Sequence, residues 1–304
     1  MLTIPAPAKI NLSLRVLGKR ADGFHEIETV FARLDLADEL IFEAADSGIS
    51  MTCSDPSLSC GEDNLVGKAA RALQQAGGIS QGARIHLIKR VPIAAGLGGG
   101  SSDAASTLLG LTELWKLRVS SSRLMELAAG IGSDVPFFLC QAPYAIGRGR
   151  GERCEPVSST LAVCVVLVVP RAALSTKAVY EDVDRDVVQR PLIKMPGLQA
   201  GHFDLTASAA SITMVAHALR NGSLRELAQA LANDLAPAAI RRCPVIARIQ
   251  TLLRDLRCLG VCLSGSGPAV FGLCTDERHA QDMAHALKRR GDPAWRVEVI
   301  HAGL

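Results

Sequence analysis

Between residues 92 and 104 the chain reads Pro-Ile-Ala-Ala-Gly-Leu-Gly-Gly-Gly-Ser-Ser-Asp-Ala, and no other run constrains the fold as much. Its glycines leave backbone N–H groups free to close around an anion and allow positive φ angles. A helix beginning at the serines would aim its own unpaired N–H groups and dipole at the same point. A nucleotide triphosphate suits such a place. An isolated glycine cluster is as often a plain loop, so the flanks decide. Ala83 to Val91 reads as a strand, with Ile85 and Leu87 alternating against polar neighbours; Ala104, Ala105, Leu108, Leu109, Leu111 and Leu114 recur at helical spacing through Trp115. The better-known phosphate loops are excluded: no Gly-Lys-Ser/Thr closes the run, and residue 101 is serine where a dinucleotide fingerprint starting at Gly96 needs glycine.

At 304 residues the chain is long enough for two domains, expected over 1–158 and 159–304 with the boundary near Val157 to Thr160. The 33 basic and 30 acidic residues leave a net charge of only +3, spread without a basic cluster, so neither nucleic acid nor an anionic lipid surface is the expected partner; a small molecule is. The longest apolar stretch, Leu161 to Val169, falls short of the roughly 18 residues of a membrane helix, and the N-terminus lacks a basic flank with an apolar core. A soluble, cytoplasmic protein, monomeric or weakly dimeric, is expected. Nine cysteines are scattered with no Cys-x-x-Cys pair, which gives neither a disulfide framework nor a zinc motif. Cys140, Cys164, Cys262 and Cys274 lie in apolar runs and read as small core residues.

Lys9 to Val16 alternates as a half-buried strand does, with Ile10, Leu12, Leu14 and Val16 on one face and Lys9, Asn11, Ser13 and Arg15 on the other. Asp63-Asn64 opens a helix that closes at Gly77-Gly78, and another runs from Ser121 or Ser122 to Gly130. Ser133 reads as the N-cap of a short helix with Asp134 and Pro136 in its first turn. A turn-laden strand pair over Tyr144 to Cys154, an apolar strand over Leu161 to Val169, two strands around Gly265-Ser266-Gly267-Pro268 and a closing strand over Trp295 to Ile300 complete an α+β pattern. Pro191 to Ser211 has no recognisable pattern and reads as an inserted or altered stretch.

The segment Pro92 to Ser102 resembles the second motif of the galactokinase, homoserine kinase, mevalonate kinase and phosphomevalonate kinase (GHMP) superfamily, Pro-x-x-x-Gly-Leu-Gly-Ser/Gly-Ser. Leu263-Ser264-Gly265-Ser266-Gly267-Pro268-Ala269 resembles its third motif, and Asn233-Asp234-Leu235 a landmark before it. Pro7-Ala8-Lys9-Ile10-Asn11-Leu12, Asp22-Gly23-Phe24-His25-Glu26 and Gly132-Ser133-Asp134-Val135-Pro136-Phe137-Phe138 resemble the branch whose acceptor carries a cytidine diphosphate group.

The resemblance implies a two-lobed fold, with a ribosomal-protein-like N-terminal lobe and a C-terminal α/β sandwich built on an antiparallel sheet. It implies ATP and Mg²⁺ as cofactors and phosphoryl transfer to an alcohol. Pro92, Ala94, Ala95, Gly96, Leu97, Gly98, Gly99, Gly100, Ser101 and Ser102 would cradle the nucleotide, with Ser101 toward the metal and Asn64, Leu65 and Lys89 toward the base. Lys9 and Asp134 would flank the accepting hydroxyl, Asp134 as base or positioner. Phe24 and Tyr180 would sandwich the cytosine, His25 would hydrogen-bond its edge, and Asn11, Phe31 and Thr176 would complete the acceptor pocket. Phenylalanine stands at 24 where the family usually has tyrosine; stacking needs only the ring. Taken one at a time, Asp134 would be an ordinary helix-terminus acid, Lys9 a solvated strand residue, and Phe24-His25 a turn with a core ring. Other readings are a homoserine- or mevalonate-type kinase, disfavoured by Gly23-Phe24-His25; a non-catalytic ATP and metabolite sensor, disfavoured by the intact Lys9 and Asp134; and RNA binding, disfavoured by the low charge.

Overall fold

The computed structural model describes residues 1–189 and 206–303, so the unpatterned stretch beginning at Pro191 lies outside the described residues as far as residue 205. The chain begins with two long strands, β1 (Leu2–Lys19) and β2 (His25–Ala45), followed by β3 (Ile49–Cys53), α1 (Leu65–Gly77), β4 (Gly82–Ile88), α2 (Gly99–Leu114), α3 (Ser121–Ile131) and α4 (Val135–Leu139). Then come β5 (Tyr144–Gly149), β6 (Arg153–Pro156), β7 (Val163–Val169), α5 (Thr176–Gln189), α6 (Thr206–Asn221), α7 (Leu224–Ala230) and β8 (Ala232–Asn233). The described chain closes with α8 (Ala236–Arg242), α9 (Val245–Asp255), β9 (Gly260–Leu263), β10 (Val270–Cys274), α10 (Glu277–Arg290) and β11 (Arg296–Ala302).

Contacts divide the chain into two compact units: residues 1–9, 35–93 and 98–142 form the first, and 10–34, 94–97 and 143–304 the second. In the first unit β4 runs antiparallel to β2, with Phe42 opposite Ile85, and β3 runs parallel to β4. Helix α1 is bounded as its sequence indicates. The Asn64 side chain accepts from the Val66 N–H at the start, and Gly78, in the left-handed region, ends the helix. Its apolar stripe, Val66, Ala69, Ala70 and Leu73, is buried.

The second unit is built on an antiparallel sheet in which β7 lies between β10 and β11, β9 edges β10, and Ala302 of β11 meets Leu34 of β2. All seven residues of β7 are buried, as expected of a strand covered on both faces. Val166, Val168, Ile246, Ile249, Leu253, Val270 and Leu287 belong to one core cluster that joins this sheet to α9 and α10. Among the described residues no helix is long and apolar enough to cross a membrane.

Two local expectations are corrected. β1 is not half-buried: Lys9, Asn11, Ser13 and Arg15 are as buried as the apolar residues between them. Buried polar groups require partners, and the structure supplies them from distant segments, Asp134 for Lys9, Thr29 for Asn11 and Glu28 for Arg15. The residue at the N-cap position of α4 is Asp134 rather than Ser133, and its carboxylate makes no cap hydrogen bond. That carboxylate is paired with Lys9 instead.

Candidate active site

In the first unit, three separated segments meet at the start of α2. Gly98 occupies the N-cap position in the left-handed region (φ 71°), and a Cβ there would lie 3.0 Å from Lys9 Cγ and 3.1 Å from Phe138 Cζ. The β1 residue and α4 thus stand directly against the glycine turn. A hydrogen bond from Ser106 Oγ to the Pro5 carbonyl (2.9 Å) holds β1 along α2. Lys9 Nζ lies 3.5 Å from Asp134 Oδ2, with the lysine 3% and the aspartate 30% exposed. Burial pulls the Lys9 ammonium below its ordinary pKa, and the charge and hydrogen bond of Asp134 oppose part of that fall. Gly132 closes the arrangement, since a Cβ there would be 3.9 Å from Ser101 Oγ, and Leu65 Cδ1 would lie 3.7 Å from a Cβ at Gly100.

Behind the turn sits a buried triad that sequence reasoning missed. Lys89 Nζ pairs with Asp38 and, at 2.9 Å, with Asp103 Oδ2; Asp38 Oδ1 also accepts from the Val91 N–H at 2.8 Å. The triad therefore fixes both the strand end that enters the turn and the helix that leaves it. Burial acts to lower Lys89, but its two carboxylates more than offset this and its pKa is raised. Burial also pushes the Asp103 carboxyl up to about 7, against the attraction of Lys89 and with help from the Asp38 charge. Lys89, expected toward the nucleotide base, follows β4 directly, and its ammonium pairs with two buried acids. Asn64 serves as the cap of α1, with its amide donating to the Ser59 carbonyl at 2.6 Å. Ser102 Oγ and Asp103 Oδ1 are buried without a hydrogen-bond partner among the described residues.

In the second unit the turn preceding Gly98 is clamped by the third motif. Ser264 Oγ donates to the Gly96 carbonyl at 2.9 Å, and the Ala269 N–H donates to the Ala95 carbonyl at 3.2 Å. Asn233 supports that motif by donating to the Leu263 and Gly265 carbonyls, both at 2.8 Å, while Asp234 Oδ2 accepts from the Val16 N–H. Gly96 has φ 80°, and a Cβ there would lie 2.2 Å from the Ser264 carbonyl oxygen. Gly96→Ala is accordingly expected to destabilise the protein by about 2 kcal/mol or more, read as a lowered thermal midpoint; an unchanged midpoint would contradict the clamped geometry.

The expected acceptor residues fall in the second unit. His25 Nε2 is 2.6 Å from Asp184 Oδ1, Lys19 Nζ is 2.7 Å from Asp184 Oδ2, and the Tyr180 ring stacks on the His25 ring at 4.7 Å between centroids. Burial acts to raise the Asp184 carboxyl, but hydrogen bonds from Lys19 and His25 outweigh it and hold its pKa below the ordinary value. Phe24 is 50% exposed with the Arg150 guanidinium 4.7 Å from its ring centre. Thr176 Oγ1 shares a 2.8 Å hydrogen bond with Ser266 Oγ, and Asn11 donates to Thr29 Oγ1 at 2.7 Å. Phe31 is fully buried, with its ring against Gly147.

A glycine turn at a helix start, with a buried lysine and an aspartate against it and no Walker sequence, has the donors and charges that phosphoryl transfer needs, and the chain's class is that of the GHMP kinases. The family model described as GHMP kinases N terminal domain matches residues 64–142, and that of the GHMP kinases C terminal matches 215–293. The chain is 41% identical to the 4-diphosphocytidyl-2-C-methyl-D-erythritol kinase of Pelotomaculum thermopropionicum, over 95% of this chain and 94% of that one. It is 42% identical to the protein of the same name from Synechococcus sp., over 100% and 99%. A crystal structure of 4-(cytidine 5'-diphospho)-2C-methyl-D-erythritol kinase superposes with a TM-score of 0.77 at 36% identity, covering both chains completely. The L. major mevalonate kinase structure, at 16% identity and a TM-score of 0.75 over 99% of this chain and 95% of that one, shares the fold. The chain belongs to the 4-diphosphocytidyl-2-C-methyl-D-erythritol kinase family.

Proposed function

We propose that the chain transfers the γ-phosphoryl group of ATP to the 2-hydroxyl of 4-diphosphocytidyl-2-C-methyl-D-erythritol, releasing ADP and the 2-phosphate, in the non-mevalonate route to isoprenoid precursors. The observation that carries this reading is the pairing of buried Lys9 with Asp134 against the Gly98 turn at the start of α2. Phosphoryl transfer asks little covalent work of a protein and much positioning and charge stabilisation. The helix-start amides from Gly98 onward receive phosphate oxygens. Lys9 supplies positive charge as the bond from the acceptor oxygen to phosphorus forms and the bond to the bridging oxygen of ADP breaks. Asp134 orients the hydroxyl or takes its proton. The hydroxyl of Ser101, with the orphaned Ser102 Oγ beside it, offers the hard oxygen donors that suit Mg²⁺. That ion, when bound, neutralises phosphate charge.

Residues 1–158 and 159–304 act on this reading as the two catalytic lobes, a division supported by the two family matches falling one on either side of residue 158. The enzyme works in the cytoplasm, as a monomer or weak homodimer, on an acceptor carrying a cytidine diphosphate group. Its recognition is assigned to Phe24, His25 and Tyr180. Stacking on a base contributes about 1–3 kcal/mol per aromatic ring. Phe24→Ala and Tyr180→Ala should therefore each raise KM for the acceptor by about tenfold or more and leave KM for ATP alone, whereas Phe24→Tyr should behave as the parent; acceptor KM values unmoved by either alanine would remove the rings from this role. The reading as a whole is tested by ADP release over a panel of alcohols. Rapid turnover with the cytidine diphosphate acceptor supports it, and preference for homoserine or mevalonate overturns it.

A further inference from the structure

Outside the residues assigned to catalysis, three chemically distinct ligand groups converge in the second unit. Cys164 is the second residue of β7, Glu277 the first of α10, and His301 the next to last of β11. Cys164 and His301 are direct partners in the β7–β11 pairing, so the sheet itself fixes their spacing. The thiol of Cys164 donates to Glu277 Oε2 at 3.6 Å, and His301 Nε2 lies 2.6 Å from the same oxygen. One ligand atom from each of the three residues lies within 4.8 Å of the other two. The second carboxylate oxygen, Glu277 Oε1, accepts from Gln281 Nε2 at 2.9 Å, which braces the carboxylate from outside the cluster. Cys164 is 8% exposed, whereas His301 and Glu277 are 36% and 49% exposed, so the cluster has a buried floor and a side open to solvent.

We propose that Cys164, Glu277 and His301 form a binding site for a single zinc-class divalent ion, with a water in the fourth position. Thiolate, imidazole and carboxylate together are the donor set that zinc accepts in tetrahedral sites, while the hard ions Mg²⁺ and Ca²⁺ favour oxygen alone. Metal–ligand bonds of about 2.0–2.3 Å place tetrahedral ligands roughly 3.3–3.7 Å apart. The Cys164–Glu277 separation already falls there, and the closer His301–Glu277 pair must part by about 1 Å, which two partly exposed side chains can do. On binding, the Cys164 sulfur gives its proton to solvent and bonds the ion as thiolate; no oxidation occurs. Without the ion, burial and the Glu277 carboxylate push that thiol up to about 12 and keep it inert. The bound ion ties the start of α10 to two central strands. Sequence spacing hides the site, because its members are separated by 113 and 24 residues.

The test uses the full chain stripped with a chelator and titrated with Co²⁺, then Zn²⁺. The expected result is one equivalent of Co²⁺ with a thiolate-to-cobalt charge-transfer absorption that Zn²⁺ abolishes, and a thermal midpoint raised by Zn²⁺. Cys164→Ser should lose the absorption, and His301→Gln and Glu277→Gln should each weaken binding by about tenfold or more. The two exposed-site variants keep the test decisive if Cys164→Ser folds poorly. No charge-transfer band in the parent, a band that survives Cys164→Ser, or Zn²⁺ affinity unchanged by His301→Gln overturns the proposal.

Discussion

Lys9→Ala and Asp134→Asn should each lower kcat by about 10²- to 10⁴-fold, the range lost when a positioned acid–base group or a preorganised charge is removed from a transition state. ATP should still bind, because its phosphates are assigned mainly to backbone amides that neither substitution removes. The two effects should not add: Lys9 and Asp134 are one pair at 3.5 Å, and the second loss removes an interaction already broken. Lysine protonation also gives the reaction an alkaline limb. Since burial lowers the Lys9 pKa from its ordinary 10.5, the ammonium is lost, and the rate falls, at a lower pH than a solvated lysine would dictate. Steady-state kinetics with nucleotide-binding measurements on each variant check this; a variant with near-parental kcat excludes its residue from the chemistry.

Lys89→Met should be the most destabilising single change in the first unit. It leaves Asp38 and Asp103 buried side by side without a counter-charge, a loss of about 3–5 kcal/mol and, for a protein of this size, a fall of roughly 10 °C in thermal midpoint. Asp103→Asn should be far milder, because the Asp103 carboxyl is raised to about 7 and already holds its proton over much of the acidic range. The sign of the pH dependence follows. The folded protein keeps a proton on Asp103 that the unfolded chain releases near 3.8, so this contribution to stability is complete below 3.8 and lost as pH rises through about 7. Asp103→Asn should flatten that part of the profile. Denaturant titrations between pH 4 and 8 decide it, and a Lys89→Met protein as stable as the parent contradicts the triad.

What the sequence displayed was local. The strand, glycine turn and helix around Pro92 to Ser102, the caps of α1 at Asn64 and Gly78, and the apolar run of β7 all follow from short-range periodicity and cap chemistry, and each is found in the structure. Alternation in β1 misled, because a period of two reports which residues share a face and not whether that face meets water. Lys9, Asn11 and Arg15 look solvated until their partners arrive from elsewhere in the chain. The triad around Lys89 was hidden for the same reason: Asp38 lies 51 residues away with no motif around it. Asn233 and Asp234 carried a recognisable pattern, but the work of Asn233 in bracing the third motif, and of Asp234 in accepting from the Val16 N–H, appears only once those distant backbone groups are in position.

The most direct test is a crystal structure with a non-hydrolysable ATP analogue. The account predicts phosphate oxygens on the amides from Gly98 to Ser102 at the start of α2, with Lys9 Nζ and the Asp134 carboxylate on the side of the terminal phosphate. A nucleotide bound elsewhere with this helix start empty, or a terminal phosphate turned away from both side chains, would contradict it.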